Sequence, residues 1–230
     1  MKNFSDIVLY EDNHILIVNK PAGEIVQGDK TGDTPLSEKA KEYIKKKYNK
    51  PGQVYLGVVH RLDRPTTGVL IFARTDKALS RLNNMLRDHE IKKTYWAVVE
   101  GIPNELSGKL VNFLKKNPET NKSKVVSKKT SGAQEAILSY EHVASSDKYH
   151  LLEVKLQTGR HHQIRAQLAH IGCVIKGDLK YGARRSNSDA SISLHARNVT
   201  FTHPVSQLKI NISAPVPNEQ LWLFFESNHE

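Results

Sequence analysis

Two apolar runs, residues 54–59 and 68–73, enclose the stretch His60-Arg61-Leu62-Asp63-Arg64-Pro65-Thr66-Thr67, which is rich in charge and hydroxyls. Short apolar runs bounded by turn signals read as buried strands, so the charged stretch between them falls at the rim of a sheet. Asp63 has two arginines and a histidine within three residues, enough positive charge to keep a carboxylate ionised and to attract an anion. It is a candidate nucleophile or base. The plain alternative is a structural ion pair with Arg61 or Arg64.

The remaining pattern bounds the architecture. Residues 7–10 and 14–19 read as a hairpin joined by Glu11-Asp12-Asn13 and ended by Lys20-Pro21-Ala22-Gly23. Thr34 reads as the cap of a helix with Pro35 in its first turn and Leu36, Ala40, Tyr43 and Ile44 at helical spacing. Asp76 reads as the cap of a second helix, with Ala78, Leu79, Leu82, Met85 and Leu86 on one face. The C-terminal half is mostly strands, at 95–100, 133–142, 149–156, 192–201 and 208–214, with helices near 161–171 and 219–226. So many strands with so few helices between them argue an α+β fold on a mixed, largely antiparallel central sheet with a cleft across it. One domain over residues 1–230, without a separate N-terminal module, is the expectation. Residues 184–189 and 115–130 look irregular. The second stretch sets Lys115, Lys116, Lys122, Lys124, Lys128 and Lys129 against one acid, Glu119, which suits either a solvated face or a finger that grips a phosphate backbone.

The formal net charge of +10 favours a polyanionic partner. No apolar run approaches the roughly 20 residues that a membrane-spanning helix needs, and the N-terminus lacks a secretory apolar core. A cytoplasmic address is the expectation. The single cysteine, Cys173, excludes an intrachain disulfide and a Cys-based zinc cluster. His161, His162 and His170 gather in one segment but lack partners at ligand spacing, so no metal is expected; a solvated or RNA-facing helix accounts for them instead.

Two further segments carry chemistry. In Lys92-Lys93-Thr94-Tyr95-Trp96-Ala97-Val98-Val99, strand alternation puts Tyr95, Ala97 and Val99 on one face and Trp96 and Val98 on the other, so Tyr95 reads most simply as a core aromatic. In Leu156-Gln157-Thr158-Gly159-Arg160-His161-His162-Gln163-Ile164-Arg165, a strand turns at Gly159 into a basic helix. Ile164, Leu168 and Ile171 share one face of that helix and Arg165 lies on another.

Taken with Asn19-Lys20-Pro21-Ala22-Gly23, Gly177-Asp178-Leu179-Lys180-Tyr181-Gly182 and Ser193-Leu194-His195-Ala196, these motifs resemble, in order, those of the RluA family of RNA pseudouridine synthases, from about Asp6 to Pro215. The resemblance implies the pseudouridine synthase fold and an isomerisation in which a uracil is detached from its ribose, rotated and rejoined through carbon 5. It implies Asp63 as the catalytic carboxylate, Tyr95 as the ring that stacks on the target base, and Arg165 as the partner of the aspartate. By the same resemblance Arg61 fills the space of the flipped base, and His60, Arg64, Thr67, Arg160 and His162 belong to the substrate-binding surface. No cofactor is required. The partner is RNA, either tRNA or rRNA, and a monomer without an obligate protein partner is expected. Thr67 stands where serine is commoner, and Gln167 where many relatives place histidine.

Whether Asp63 attacks the anomeric carbon or abstracts a sugar proton is open at this level. Two other classes fit parts of the pattern. A non-catalytic RNA-binding or ribosome-assembly factor would explain the charge but not an aspartate held among arginines. An aspartate-dependent hydrolase or phosphotransferase would act on free anionic small molecules.

Overall fold

The computed structural model describes residues 3–29 and 31–229. In chain order its strands are β1 (Val8–Glu11), β2 (Ile15–Lys20), β3 (Gly57–Val58), β4 (Thr67–Ala73), β5 (Lys92–Val99), β6 (Ser107–Asn117), β7 (Lys122–Val126), β8 (Gln134–Ser145), β9 (His150–Leu156), β10 (Leu194–Thr202) and β11 (Lys209–Ser213). The helices are α1 (Leu36–Lys47), α2 (Asp76–Arg87), α3 (Gln163–His170) and α4 (Gln220–Ser227). Two compact units result: one holds the chain up to Ile91 together with Ala196–Pro215, the other holds Lys92–His195 and the chain from Val216 on. The strand pairs described below are antiparallel, and the class is α+β as the sequence pattern implied.

In the first unit the expected hairpin forms, because the Asp12 carboxylate accepts the His14 and Ile15 N–H groups at 2.7 and 2.8 Å and closes the turn between β1 and β2. β2 then pairs with β4, from Ile15 opposite Ala73 to Lys20 opposite Gly68. Residues 67–73 are buried at every position, which is why β4 reads as a continuous apolar run and not as an alternating one. Ile15, Ile17, Val69 and Ile71 pack with Ala78 and Leu82 of α2 and with Val199 and Phe201 of β10. Gly68 sits at φ 112°, and a Cβ there would run into the backbone of Ala196, so only glycine lets β4 lie this close to β10.

The second unit orders its strands β5, β9, β8, β6, β7. The alternation of β5 holds: Trp96 and Val98 join Leu151, Trp222 and Phe225 in one cluster under α4. Leu114 and Ala136 pack with Ala166 of α3 and with Tyr181.

Several local expectations are corrected. The apolar run at 54–59 yields only the two-residue β3, and the next rung of β4 is filled by a side chain, since the Ile71 N–H donates to His60 Nε2 at 3.2 Å. The cap of α1 is Pro35, not Thr34, and it makes no side-chain bond; the Leu36 and Ser37 N–H groups are met instead by the carbonyls of Ile25 and Val26. The cap of α2 is Thr75, whose Oγ1 accepts the Ala78 N–H at 3.2 Å, and Asp76 is the first helical residue. The stretch 115–130 is largely regular, because β6 and β7 pair from Phe113 opposite Val126 to Asn117 opposite Lys122. Most β6 side chains are at least partly exposed, so its sequence lacks the buried stripe by which strands are recognised.

Candidate active site

Asp63 lies between β3 and β4 at the start of a tight turn, closed by the Thr66 N–H donating to the Asp63 carbonyl at 3.0 Å. The turn is braced from below by Lys20. This lysine ends β2 fully buried, and its Nζ donates to the carbonyls of Pro21, Arg64 and Thr66 at 2.9, 3.1 and 2.8 Å. Three N–H groups meet three carbonyls, so the charged ammonium is satisfied without a direct carboxylate contact. Burial pulls the Lys20 ammonium down to about 7, against the opposing pull of Glu24 and Asp63. The Gly23 N–H also donates to the Arg64 carbonyl, at 2.9 Å, and ties the Pro21-Ala22-Gly23 segment to the same turn.

The side chains around Asp63 divide. Leu62, Thr66 and Thr67 point into the unit and are buried, whereas Arg61 and Arg64 are exposed. Arg64 pairs with Asp33 at 2.8 Å. His60 accepts a backbone N–H on Nε2, which leaves its ring proton on Nδ1 by elimination. The polypeptide thus holds the Asp63 backbone by other backbone groups and one buried cation, with exposed arginines on either side.

In the second unit Tyr95 sits on β5 opposite Val154, 6 % exposed. Arg165 lies in the first turn of α3 with its side chain 5 % exposed. Its Nε and Nη2 donate to the two carboxylate oxygens of Asp178 at 2.7 and 2.8 Å, a two-pronged pair, and its Nη1 contacts His162 Nε2 at 2.9 Å. The Tyr181 ring lies 5.1 Å from the guanidinium carbon.

α3 is not the water-facing helix that its charge suggested. Gln163 through Leu168 are all buried, and the histidines before it are built into the interior polar network. His162 is 8 % exposed, and both its ring nitrogens contact protein groups, Tyr181 OH and Arg165. Arg160 remains exposed while its Nε donates to the Glu135 carbonyl at 2.8 Å. Gln167 is fully buried and bridges α3 to its neighbours through Asn112 Oδ1 and the Ala136 carbonyl, at 2.8 and 3.1 Å.

Three residues were quoted in the sequence motifs without a role: Lys20, Asp178 and Tyr181. A signal existed for the first, since a lysine two residues beyond a run of four apolar strand residues must either leave the core or find acceptors. For Asp178 and Tyr181 the only signal was their place in the motif, because the helix they support lies well before them in the chain.

An α+β protein with a carboxylate raised on a braced turn and an arginine locked against a buried aspartate matches known proteins over most of its length. A family model described as RNA pseudouridylate synthase matches residues 14–170. The chain is 35% identical over 221 residues to a ribosomal large subunit pseudouridine synthase C of Buchnera aphidicola, covering 93% of this chain and 68% of the relative. It is 30% identical over 243 residues to a tRNA pseudouridine synthase C of Vibrio parahaemolyticus, covering 97% and 96%. Among solved structures, human RNA pseudouridylate synthase domain containing 4 superposes with a TM-score of 0.79 at 22% identity, over 98% of this chain and 93% of that one. The chain therefore belongs to the RNA pseudouridylate synthase family and is an isomerase, as its RluA-type motifs implied. Among the described residues, no helix is long and apolar enough to cross a membrane.

Proposed function

We propose that this enzyme converts specific uridines of a stable RNA, tRNA or rRNA, to pseudouridine with Asp63 as the reacting carboxylate. The observation that carries the reading is the braced turn. A lysine buried at the end of a core strand holds the carbonyls on either side of Pro65 together with that of Pro21, and the residue that this turn presents is an aspartate between two exposed arginines. Reactive carboxylates gain from being held in one geometry before substrate arrives.

On this reading Asp63 attacks the anomeric carbon or removes a sugar proton, Tyr95 stacks on the displaced uracil, and Arg165 is assigned as the partner of the aspartate on the strength of the family motif it completes. Stacking of a base on a tyrosine is worth about 1–3 kcal/mol, comparable with the few kcal/mol that unstacking a nucleotide costs. Arg61, Arg64 and Arg160 are assigned to RNA, with Arg61 entering the space left by the base, and His60 and Thr67 are assigned to the substrate-binding surface by the family motif to which they belong. His162 is reassigned from touching RNA to supporting Arg165, because both its ring nitrogens face protein groups. The two units act together as one catalytic domain, in the cytoplasm and as a monomer.

The test is release of tritium from carbon 5 of uridine-labelled tRNA and rRNA taken from cells that lack the protein, with Asp63→Ala as control. Release that depends on Asp63 supports the assignment; equal release by both proteins overturns it. Mapping pseudouridine across all stable RNAs with and without the protein then identifies the target.

A further inference from the structure

The lysine-rich hairpin and the arginine of α3 are joined by an unbroken set of short polar contacts within the second unit. Arginine can only donate, so the 2.9 Å contact between Arg165 Nη1 and His162 Nε2 makes that nitrogen an acceptor and His162 a neutral ring with its proton on Nδ1. That proton points at Tyr181 OH, 3.1 Å away. The hydroxyl in turn donates to the Ser123 carbonyl at 3.0 Å and accepts the Ser123 N–H at 2.9 Å, so it gives one hydrogen bond and takes two, its full complement.

Ser123 belongs to β7 and pairs with Lys116 of β6. Its Oγ meets His161 Nδ1 at 2.9 Å, and the His161 ring stacks on that of His162 with centroids 3.9 Å apart. The hairpin turn is held as well: Lys180 Nζ donates to the carbonyls of Thr120 and Asn121 at 3.4 and 3.2 Å. His162 occupies the left-handed region at φ 52°, a conformation that costs a non-glycine residue energy and that the contacts on both ring nitrogens hold in place.

We propose that Tyr181 and neutral His162 are positioning residues that register the β6–β7 lysine hairpin against Arg165, so that gripping RNA with the hairpin and orienting the arginine are parts of one rigid arrangement. The inference rests on the role assigned to Arg165 above. It separates two contributions: the lysines supply affinity for the RNA backbone, and the Tyr181 hydroxyl supplies only geometry.

The experiment uses the full chain and carbon-5 tritiated bulk RNA, with kcat and apparent KM measured for each variant. Tyr181→Phe keeps the ring that lies against Lys122 and Arg165 and removes the hydroxyl alone. The expected result is a fall in kcat of about ten-fold or more with apparent KM changed by less than about two-fold. His162→Leu should behave alike, and His162→Gln, which can again offer Arg165 an acceptor, should recover most of the loss. The double change Lys116→Ala with Lys124→Ala should raise KM and leave kcat within about two-fold of wild type.

An unchanged kcat in Tyr181→Phe, an effect on KM alone, or a loss that merely follows the fraction of unfolded protein in a thermal melt would overturn the proposal. Arg165→Met separates this failure from that of the underlying reading. If Arg165→Met is inactive while Tyr181→Phe is normal, the arginine's role stands and the registration does not; if Arg165→Met is fully active, the assigned role of the arginine falls first.

Discussion

The turn that presents Asp63 and the helix that presents Arg165 are held by different means. Around Asp63 the fixed partners are backbone atoms: the Thr66 and Gly23 N–H groups close and anchor the turn, and the Lys20 ammonium gathers three carbonyls beneath it. Around Arg165 they are side chains: a carboxylate, an imidazole and a phenol ring. A turn closed and anchored by backbone groups keeps its shape by bonds that replacement of the presented side chain leaves in place. In a side-chain network each member is the partner of another, and removing one leaves a buried group unsatisfied.

The widest gap between activity and stability should therefore appear at Asp63. Asp63→Ala is expected to lower the rate of tritium release by more than about a thousand-fold. Its thermal midpoint should stay close to wild type, and a large drop in that midpoint would mean that the carboxylate itself holds the turn.

At the other site the balance reverses. Asp178→Ala strips a buried guanidinium of its carboxylate and should cost about 3–5 kcal/mol in urea unfolding. Asp178→Asn, which keeps an acceptor oxygen, should cost less; equal losses for both would show that the charge and not the hydrogen bond matters. Lys20→Met keeps the buried stem and deletes the ammonium, leaving three carbonyls without their donor. A loss of about 2–4 kcal/mol is expected, together with earlier proteolytic cutting between residues 60 and 67, and a neutral Met variant would refute the bracing role.

The smallest effect concerns Glu11, away from both sites. Burial raises its pKa, but the bonds from Lys47 and Tyr43 at 2.7 and 2.8 Å outweigh that, and the carboxyl ends below its ordinary value of 4.5. A carboxylate with a depressed folded pKa contributes stability that is fully present above its unfolded pKa and is lost as pH falls through the folded one. Glu11→Gln should thus narrow its stability deficit relative to wild type as pH is lowered below the ordinary carboxyl value of 4.5. A deficit that does not depend on pH would place the effect in packing.

Legibility in the sequence followed the range of the interactions. The Asp12 turn, the burial of β4 and the two faces of β5 rest on neighbours in the chain or on solvent, and they could be read directly. The short β3 could not, because its place on β4 is taken over by a histidine ring that donates no backbone groups to the ladder. Nor could the interior position of α3. Six consecutive buried residues that include Gln163, Arg165 and Gln167 look like a solvated helix until the partners brought in from β6, β8 and the Asp178 loop are known.

From the pattern and order of its motifs the chain already determined its α+β class and its family, because strand patterning and charged turns are local properties. Only the folded molecule decided that Lys20 would brace that turn and that Asp178, His162 and Tyr181 would surround Arg165. A buried charge is tolerated where its acceptors converge, and convergence of groups distant in the chain exists only after folding.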